Sequence, residues 1–338
     1  METSNIICYE GRMTGAGFNT EQYLLDCRSS IDSALDHYLK KNRQITSVLH
    51  QAVCYGVLDG GKRFRPILTL AVGELFGAKR RNLLPFACAI ELIHCYSLIH
   101  DDLPALDNDD LRRGKLSCHK RFGEAIALLA GDALLTEAFF VMSDARIARL
   151  LGGPLISKII REVSDAAGIR GMIGGQSNEL ELAKRKVTPA VLENLDRLKT
   201  GALITTAARL GAIIGGAAAK DLGRITRYAQ ALGLAFQITD DILDSHEVSS
   251  DKRNPKGIVN YLSVAEPAKA RERVKALLSK CLREMRPYGR GAEPLRDLAR
   301  YVALRTTDDA DEHGKGARPL TGTGNIERLD AALDRRDS

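Results

Sequence analysis

The sequence contains no tryptophan and few aromatic side chains. Phe, Tyr and Trp make up only 5% of its 338 residues, whereas 44% are hydrophobic, and most of these are Ala, Leu and Ile. Because Ala and Leu favour helix while aromatic and β-branched residues favour strand, this composition indicates helices rather than sheets. The apolar content excludes wholesale disorder, and collagen or low-complexity repeats are missing.

The cysteines form neither a disulfide framework nor a metal motif. Seven are present, an odd number with no CxxC pair, and most lie in apolar segments of helical type. We interpret them as reduced core thiols of a cytoplasmic protein.

The sequence also shows no recognisable targeting or membrane-spanning signal. The N-terminal residues show no basic region followed by a long apolar run, so they do not resemble a secretory signal. Arg209 interrupts the best apolar stretch, between Ala202 and Ala219, and we expect no membrane span. The net charge of +6 falls short of the clustered basicity of a nucleic-acid-binding protein.

Apolar residues recur at helical spacing along most of the chain, and no run of alternating strands is present. The spacing predicts helices near 21–41, 48–58, 66–77, 83–100, 124–143, 145–167, 189–217, 220–244, 264–285 and 292–303. We therefore predict an all-α protein with a flexible N-terminal segment at 1–19, a single helical domain at 20–305 and a polar C-terminal tail at 306–338.

Two clusters of aspartates accompany mostly apolar helices. The clusters contain Asp101, Asp102 and Asp107 in the first, and Asp240, Asp241 and Asp244 in the second. Asp240 and Asp244 are four residues apart and share one helix face. One such cluster alone is best interpreted as a solvated acidic surface. Two clusters favour a site for Mg²⁺, which binds a few carboxylates together with waters and substrate phosphates.

Cations occur close to these carboxylates in the sequence. Arg112 and Arg113 follow the first cluster, and two further basic segments are Gly60-Gly61-Lys62-Arg63-Phe64-Arg65-Pro66 and Lys199-Thr200-Gly201. The P-loop pattern is absent. The Gly-Gly-Lys segment alone would be a helix-terminating turn with solvated cations. Beside two aspartate clusters, the basic residues favour diphosphate binding, because Arg offers a bidentate fork and Lys a point charge.

Together and in this order, these segments resemble the trans-isoprenyl diphosphate synthase family, which includes farnesyl and geranylgeranyl diphosphate synthases. The resemblance runs from about Ile45 to Asp244 and includes Phe122-Gly123-Glu124-Ala125 and Gly174-Gly175-Gln176. It implies an isoprenoid-synthase-type helical bundle around a deep central cavity, usually as a homodimer. It also implies Mg²⁺-dependent, head-to-tail condensation of isopentenyl diphosphate with an allylic diphosphate.

The resemblance implies roles for individual residues. Three Mg²⁺ ions are expected, with metal-binding positions at Asp101, Asp102, Asp107, Asp240 and Asp244. The residues expected at the allylic substrate, and counted as catalytic, are Lys199, Thr200, Gln237 and Arg112. The residues expected at isopentenyl diphosphate are Lys62, Arg65, His94 and Arg113. The allylic C–O bond would break to a carbocation while these cations neutralise the departing diphosphate.

The loop after Asp244 departs from the family pattern. Relatives carry a Gly-Lys and a second Lys there that reach the allylic diphosphate, and Lys252 and Lys256 are the candidates in this chain. Each could equally be a solvated loop cation. Glu179 stands where the family often has Asp.

Product length is expected to depend on the residues one helical turn before Asp101. Tyr96 is the large side chain there, beside Ser97. An aromatic ring at this place resembles farnesyl-type synthases, which stop at C15, although some relatives with such a ring make C20. Since the atypical loop and tail resemble specialised members, we expect geranylgeranyl diphosphate (C20), with farnesyl diphosphate (C15) as the alternative.

Three other functions were weighed against this one. An HD-type phosphohydrolase would use His100-Asp101 with His94 and His119, but it leaves the second cluster unexplained. A terpene cyclase would replace the second cluster by an Asn/Ser/Glu triad. A non-catalytic regulatory subunit of a prenyl synthase should have lost one cluster, and both are intact.

Overall fold

The computed structural model describes residues 19–40, 47–182, 187–247 and 260–304 of the chain. The helices within these ranges are α1 (Thr20–Lys40), α2 (Val48–Leu58), α3 (Phe64–Leu75), α4 (Arg80–Asp101), α5 (Cys118–Phe122), α6 (Glu124–Met142), α7 (Ala145–Leu151), α8 (Gly153–Ala167), α9 (Met172–Leu182), α10 (Pro189–Asp196), α11 (Ala202–Ile214), α12 (Ala219–Glu247), α13 (Pro267–Met285) and α14 (Glu293–Leu304). The prediction of an all-α protein is confirmed. Nearly all of the predicted terminal segments, 1–19 and 306–338, lie outside the described residues.

The described chain separates into two compact units. One unit consists of Leu25–Ser164 and Leu210–Gly216, and we call it the first-cluster unit because it contains Asp101 and Asp107. The remaining described residues form the second unit, which contains Asp240 and Asp244 and which we call the second-cluster unit.

The core of the first-cluster unit is built on α4, which packs against α3 and α6. Its buried side chains lie on several faces, as expected for a central helix, and they include Phe86, Ile90 and Ile93. Gly211 lies on α11 and allows it to approach α3 closely, since a Cβ on Gly211 would lie only 2.4 Å from the backbone oxygen of Thr69.

In the second-cluster unit, the long helix α12 packs against α13 and α14. Tyr228 is fully buried, and its hydroxyl donates a 2.6 Å hydrogen bond to the carbonyl of Leu295 at the start of α14. This bond satisfies the polar end of a side chain whose ring contributes to the core.

Most helices begin and end near the predicted residues, but three details differ. The segment predicted as one helix at 145–167 is two helices, because Gly152 adopts a φ of 85° between them. The segment predicted at 189–217 contains a π-helical turn, Arg197–Gly201, between α10 and α11. Helices α5 and α9 and a hairpin of two-residue strands, β1 (Leu111–Arg112) and β2 (Lys115–Leu116), were not predicted.

Six cysteines are described, and all of them are free thiols, as predicted. Five are buried, and Cys54 is partly exposed. Burial raises the pKa of Cys118 to about 11 and that of Cys95 to about 12, so both stay protonated at neutral pH.

Helices α4 and α6 are both long and apolar enough to cross a membrane by length and composition alone. Neither is an uninterrupted apolar stretch, because α4 contains Glu91 and α6 contains Asp132 and Glu137. Most of the apolar part of α4 is buried inside the structure, as in the core helix of a globular protein, whereas less of α6 is covered.

A buried ion pair anchors the start of α3. Arg63 adopts a left-handed conformation, with a φ of 51°, and its guanidinium donates hydrogen bonds to Asp32 at 2.7 Å and to Glu91 at 2.8 Å. The side chains of Arg63 and Glu91 are each only 2% exposed. Removing Arg63 would therefore leave Glu91 as an uncompensated buried charge, and removing Glu91 would leave Arg63 with the partly exposed Asp32 as the remaining one of these two carboxylate partners.

We expect Glu91→Gln to lower the free energy of unfolding by about 3–5 kcal/mol, since the charge of Arg63 would lose its buried partner. Asp36→Asn is the control, because Asp36 forms an exposed pair with Lys40 in which both side chains are at least 40% exposed. The control should cost less than about 1 kcal/mol. Urea titrations of the three proteins measure the difference, and equal losses would contradict the prediction.

Candidate active site

The first aspartate cluster forms at the C-terminal end of α4. After Asp101 the chain turns back on itself, so that the backbone N–H of Asp107 donates to the carbonyl of Asp101 at 2.8 Å. A second backbone bond joins Asp109 N–H to the carbonyl of Asp102 at 3.2 Å. The fold-back brings Asp101 and Asp107, both partly exposed, to one place, although five residues separate them in sequence.

Asp102 differs from its neighbours because it is buried and ion-paired. The guanidinium of Arg112 donates two hydrogen bonds to one of its carboxylate oxygens, the first from Nε at 2.9 Å, and also contacts Asp109 at 3.3 Å. Burial raises the pKa of Asp102, and the bonds from Arg112 counteract that shift only in part. The Asp102 carboxylate is thus buried against Arg112, whereas Asp101 and Asp107 are partly exposed.

The hairpin β1–β2 presents the two arginines that follow the cluster. Arg113 and Gly114 form its two-residue turn, and both have positive φ values, 55° and 75°, as type I′ turns require. The exposed Arg113 side chain reaches back to Gly60, whose carbonyl accepts a 2.6 Å hydrogen bond. Gly61 leaves room for this contact, since a Cβ there would lie 2.9 Å from the guanidinium.

His94 lies close to several arginines of the first-cluster unit. Its pKa is held well below the usual value, first by burial and then by four nearby cations, Arg65, Arg113, Arg63 and Arg112. The imidazole is therefore neutral at neutral pH and can donate one hydrogen bond and accept another. A site with several guanidinium groups around a neutral imidazole favours an anionic ligand.

The three cations of the Gly60–Pro66 segment differ in exposure. Lys62 is exposed and Arg65 is partly exposed, so both can meet a ligand. Arg63 is used inside the fold, as described above. Nothing in the residue order alone distinguishes Arg63 from Arg65.

In the second-cluster unit, Lys199 and Thr200 lie on the π-helical turn. Helix α9 packs directly against this turn at Gly175, where a Cβ would lie 2.5 Å from the backbone nitrogen of Lys199. This close approach explains why position 175 of the Gly174-Gly175-Gln176 segment is a glycine. The Lys199 ammonium forms an ion pair with Glu179, on the same helix α9.

A chain of hydrogen bonds fixes the oxygen atoms beside Lys199. The Thr200 hydroxyl donates to the side-chain carbonyl of Gln237 at 2.8 Å. The Gln237 amide nitrogen donates to Asp241 at 2.9 Å, and the other oxygen of Asp241 accepts from the backbone N–H of Tyr261 at 2.7 Å. The chain orients the Gln237 amide and leaves the Thr200 hydroxyl oxygen as an acceptor.

The second aspartate cluster lies near the C-terminal end of α12. Asp240 is partly exposed, and Asp241 is buried. Asp244 belongs to the same helix, but its side chain is outside what the structure describes. Lys252 and Lys256 lie outside the described residues.

Tyr96 and Ser97 lie on α4, one turn before the first cluster. The Tyr96 ring is buried and packs edge-to-face on His100, with ring centroids 5.7 Å apart. Its hydroxyl is buried without a hydrogen-bond partner among the described residues. Ser97 donates to the carbonyl of His94, within the helix.

Within the described ranges, no three His, Cys, Asp or Glu side chains are close enough together to hold a metal by themselves. This arrangement does not suit a closed structural metal site. It suits Mg²⁺, which usually keeps several waters and relies on one or two carboxylates plus phosphate oxygens of a ligand. The open carboxylates of Asp101 and Asp107 meet that requirement.

Three contributors were not assigned a role from the sequence. Glu179 is the ion-pair partner of Lys199. Asp196 is a buried carboxyl one turn before Lys199. Asp241 orients the amide of Gln237. Asp241 was visible as part of the second cluster. Asp196 had no signal, because an acid within an apolar helix pattern is ordinary on a solvated face.

Comparison with known proteins identifies the group to which this arrangement belongs. The profile of the family described as polyprenyl synthetase matches residues 46–258. A farnesyl diphosphate synthase of Geobacillus stearothermophilus is 38% identical over 298 residues, which is 86% of this chain and 99% of the relative. Geranylgeranyl pyrophosphate synthase 4 of Arabidopsis thaliana is 35% identical, over 86% of this chain and 79% of the relative.

The fold is also similar to solved structures of such synthases. An FPP/GFPP synthase from Zymomonas mobilis, in its apo form, superposes with a TM-score of 0.73 at 37% identity. The match covers 84% of this chain and 97% of that protein.

We expect Gly175→Ala to displace the π-helical turn, because the added Cβ would meet backbone atoms that cannot rotate away. Overpacking of this kind costs about 1–3 kcal/mol. Gly223→Ala is the control, since its nearest neighbour would be a guanidinium nitrogen 3.6 Å away. Because Ala is the better helix former, the control should be neutral or slightly stabilising. Thermal unfolding of both variants tests this, and a Gly175→Ala protein as stable as the control would refute it.

Proposed function

Since this chain belongs to the polyprenyl synthetase family and is a short-chain prenyl diphosphate synthase, we propose that its product is geranylgeranyl diphosphate (C20). The reaction is the head-to-tail condensation of isopentenyl diphosphate with dimethylallyl, geranyl and farnesyl diphosphates. The observation that carries the proposed substrates is the family match over residues 46–258, which spans both aspartate clusters and all the basic segments.

The groups around His94 are proposed to bind isopentenyl diphosphate. They are Lys62, Arg65, His94 and Arg113. The support is electrostatic, because the guanidinium groups that depress the His94 pKa would be compensated by a bound diphosphate. Arg113 is already oriented for this by its bond to Gly60.

The allylic diphosphate is proposed to bind Arg112 and Lys199. In both cases a carboxylate holds the cation: Asp102 bonds Arg112, and Glu179 bonds Lys199. Thr200 and Gln237 belong to the same site, and Lys252 and Lys256 are its candidate loop cations. Lys199 supplies a point charge and Arg112 a planar fork for phosphate oxygens.

Mg²⁺ is proposed as the cofactor, with three ions per site. Asp101, Asp107, Asp240 and Asp244 would hold the ions, and Asp102 would support them through Arg112. When bound, the ions neutralise charge on the diphosphate as it leaves. Asp101 and Asp240 are accessible enough for this role, since both are partly exposed.

The remaining chemistry falls to side chains of this chain. Arg112 and Lys199 compensate the negative charge that develops on the departing diphosphate. Thr200 directs its single hydrogen at Gln237, so its oxygen lone pairs stay available to the allylic carbocation. Attack by the alkene of isopentenyl diphosphate forms the new carbon–carbon bond, and the proton then lost goes to the diphosphate. Apolar helix surface excludes water, which would otherwise quench the cation.

Removing the carboxylate of Asp101 or Asp240 should greatly slow condensation without unfolding the protein. We expect Asp101→Ala and Asp240→Ala each to lower turnover by about 10²–10³-fold, the scale of losing one group that stabilises transition-state charge. Asp165→Ala, which removes an exposed carboxylate paired with Arg170, is the control. Incorporation of labelled isopentenyl diphosphate measures turnover, and a variant within tenfold of the parent would contradict the assignment.

A C15 product is the second candidate, because one observation favours it. Tyr96 is a large ring, buried in α4 one turn before Asp101, where it would stop a growing chain early. Relatives with both product names resemble this chain at similar identity, so they favour neither length.

If Tyr96 limits the product, Tyr96→Ala should lengthen it by one or more isoprene units, because removing the ring frees space beside α4. Tyr96→Phe is the matched control: it keeps the ring and removes only the unpaired hydroxyl, so product length should not change. Chromatography of the dephosphorylated products gives the lengths. Identical products from the parent and the alanine variant would place the limit elsewhere.

We propose a homodimer in the cytoplasm. The support for a dimer is the apolar side chains of α6 that stay exposed in a single chain, including Leu128, Leu129 and Phe140, which is 69% exposed. Exposed apolar patches of this kind mark interaction surfaces. A sedimentation mass of one 36.9 kDa chain would contradict the dimer.

A further inference from the structure

Asp196 is a buried carboxyl with no role in the chemistry described so far. It is the last residue of α10 and lies three positions before Lys199, where the π-helical turn begins. Only 7% of the residue is exposed, and its Oδ2 atom has no hydrogen-bond partner among the described residues. A buried carboxylate without hydrogen-bond donors is costly, which favours the neutral acid.

The groups around Asp196 make its ionisation harder still. Charged and titratable neighbours come from every element packed against it: Asp241 on α12, Glu179 on α9, Glu193 on α10, Tyr261 after α12, and Lys199 on the π turn. Three of these neighbours are carboxylates, and Lys199 is the cation among them. Burial and then the carboxylates of Asp241 and Glu179 raise the pKa of Asp196 to about 8.

The other carboxylates of this cluster already have donors. Glu193 accepts two hydrogen bonds from the Arg273 guanidinium, and Asp241 accepts from Gln237 and the Tyr261 backbone. Glu179 holds the Lys199 ammonium. Asp196 is therefore the carboxyl whose charge the cluster leaves uncompensated, and Lys199 is the nearby cation that could compensate it.

We propose that Asp196 is a positioning residue for Lys199. While its carboxyl is neutral, Glu179 is the carboxylate that competes with substrate for the lysine ammonium. When Asp196 ionises, a second negative charge beside Glu179 retains the ammonium and withdraws it from the allylic diphosphate. This inference rests on the proposed function, in which Lys199 binds that diphosphate.

The expected signature is a weakening of allylic substrate binding at alkaline pH. The KM for the allylic diphosphate should rise about tenfold between pH 7 and pH 9, because one proton is coupled to the availability of Lys199. The KM for isopentenyl diphosphate should not follow it, because Lys199 is not assigned to that substrate. Asp196→Asn, which is neutral at every pH, should keep a constant allylic KM over the same range.

The control variant is Asp221→Asn, which makes the same change in the same unit at a carboxylate that accepts a bond from Tyr288. It should reproduce the alkaline rise of the parent. Glu179→Gln should lower the allylic KM at high pH, since it removes the other carboxylate that holds Lys199. An alkaline rise in Asp196→Asn as steep as in the parent would overturn the proposal.

A second measurement does not depend on the proposed function. Because the folded pKa of Asp196 lies above its unfolded value, its contribution to stability is present at acid pH and is lost as pH rises towards 8. The difference in Tm between Asp196→Asn and the parent should therefore grow with pH and level off above about pH 8. A difference that does not change with pH would show that the carboxyl is not held neutral, and the proposal would fail.

The two measurements separate the possible failures. Absence of prenyl transfer by the parent at every pH would refute the proposed function, while the stability profile would still test the state of Asp196. If the asparagine variant does not fold, Asp196→Ala removes the carboxyl entirely and is expected to give the same constant KM.

Discussion

Many carboxylates of this protein lie at the ends of apolar helices, and their mutual repulsion has to be controlled. The structure does so by giving several buried acids their own donors, with Asp196 as an exception. Asp102 receives the guanidinium of Arg112, Asp241 receives an amide and a backbone N–H, and Glu91 receives Arg63. Asp101 and Asp240 are left partly exposed. A partly exposed carboxylate can meet a ligand, whereas a buried carboxylate that is held by its donors cannot.

Helical periodicity predicted the fold well because most helices have one apolar face and end at a glycine or a polar turn. Helix α2 has the predicted bounds, α6 differs by one residue at its C-terminal end, and α14 differs by one residue at each end. The elements that the periodicity missed have a structural reason. Helix α9 contains Gly174 and Gly175, which weaken a helical signal, and the strands of the hairpin are two residues long, too short for an alternating pattern.

The candidate site was predicted from its clusters, but the partners of its residues were not. Arg112 and Asp102 are ten residues apart, and Lys199 and Glu179 twenty, so neither pair follows from helical spacing. The separate use of Arg63 and Arg65 depends on a left-handed backbone conformation that no residue type requires. Sequence patterns give the chemistry available at a site, whereas the competition among its charges depends on contacts.

The π-helical turn has a consequence for how this chain should be aligned with others. Residues 189–214 are helical throughout, with one turn that carries an extra residue for the same rise. A π turn takes up its extra residue over nearly the same rise and rotation as an α turn, so deleting one residue from Arg197–Gly201 would restore a regular helix and leave the residues beyond it facing as they do now. Buried residues such as Leu203 and Ile204 would keep their present neighbours. A gap placed here in an alignment therefore removes a bulge and preserves the helix faces, whereas a gap inside α10 or α11 would rotate every later residue by about 100°.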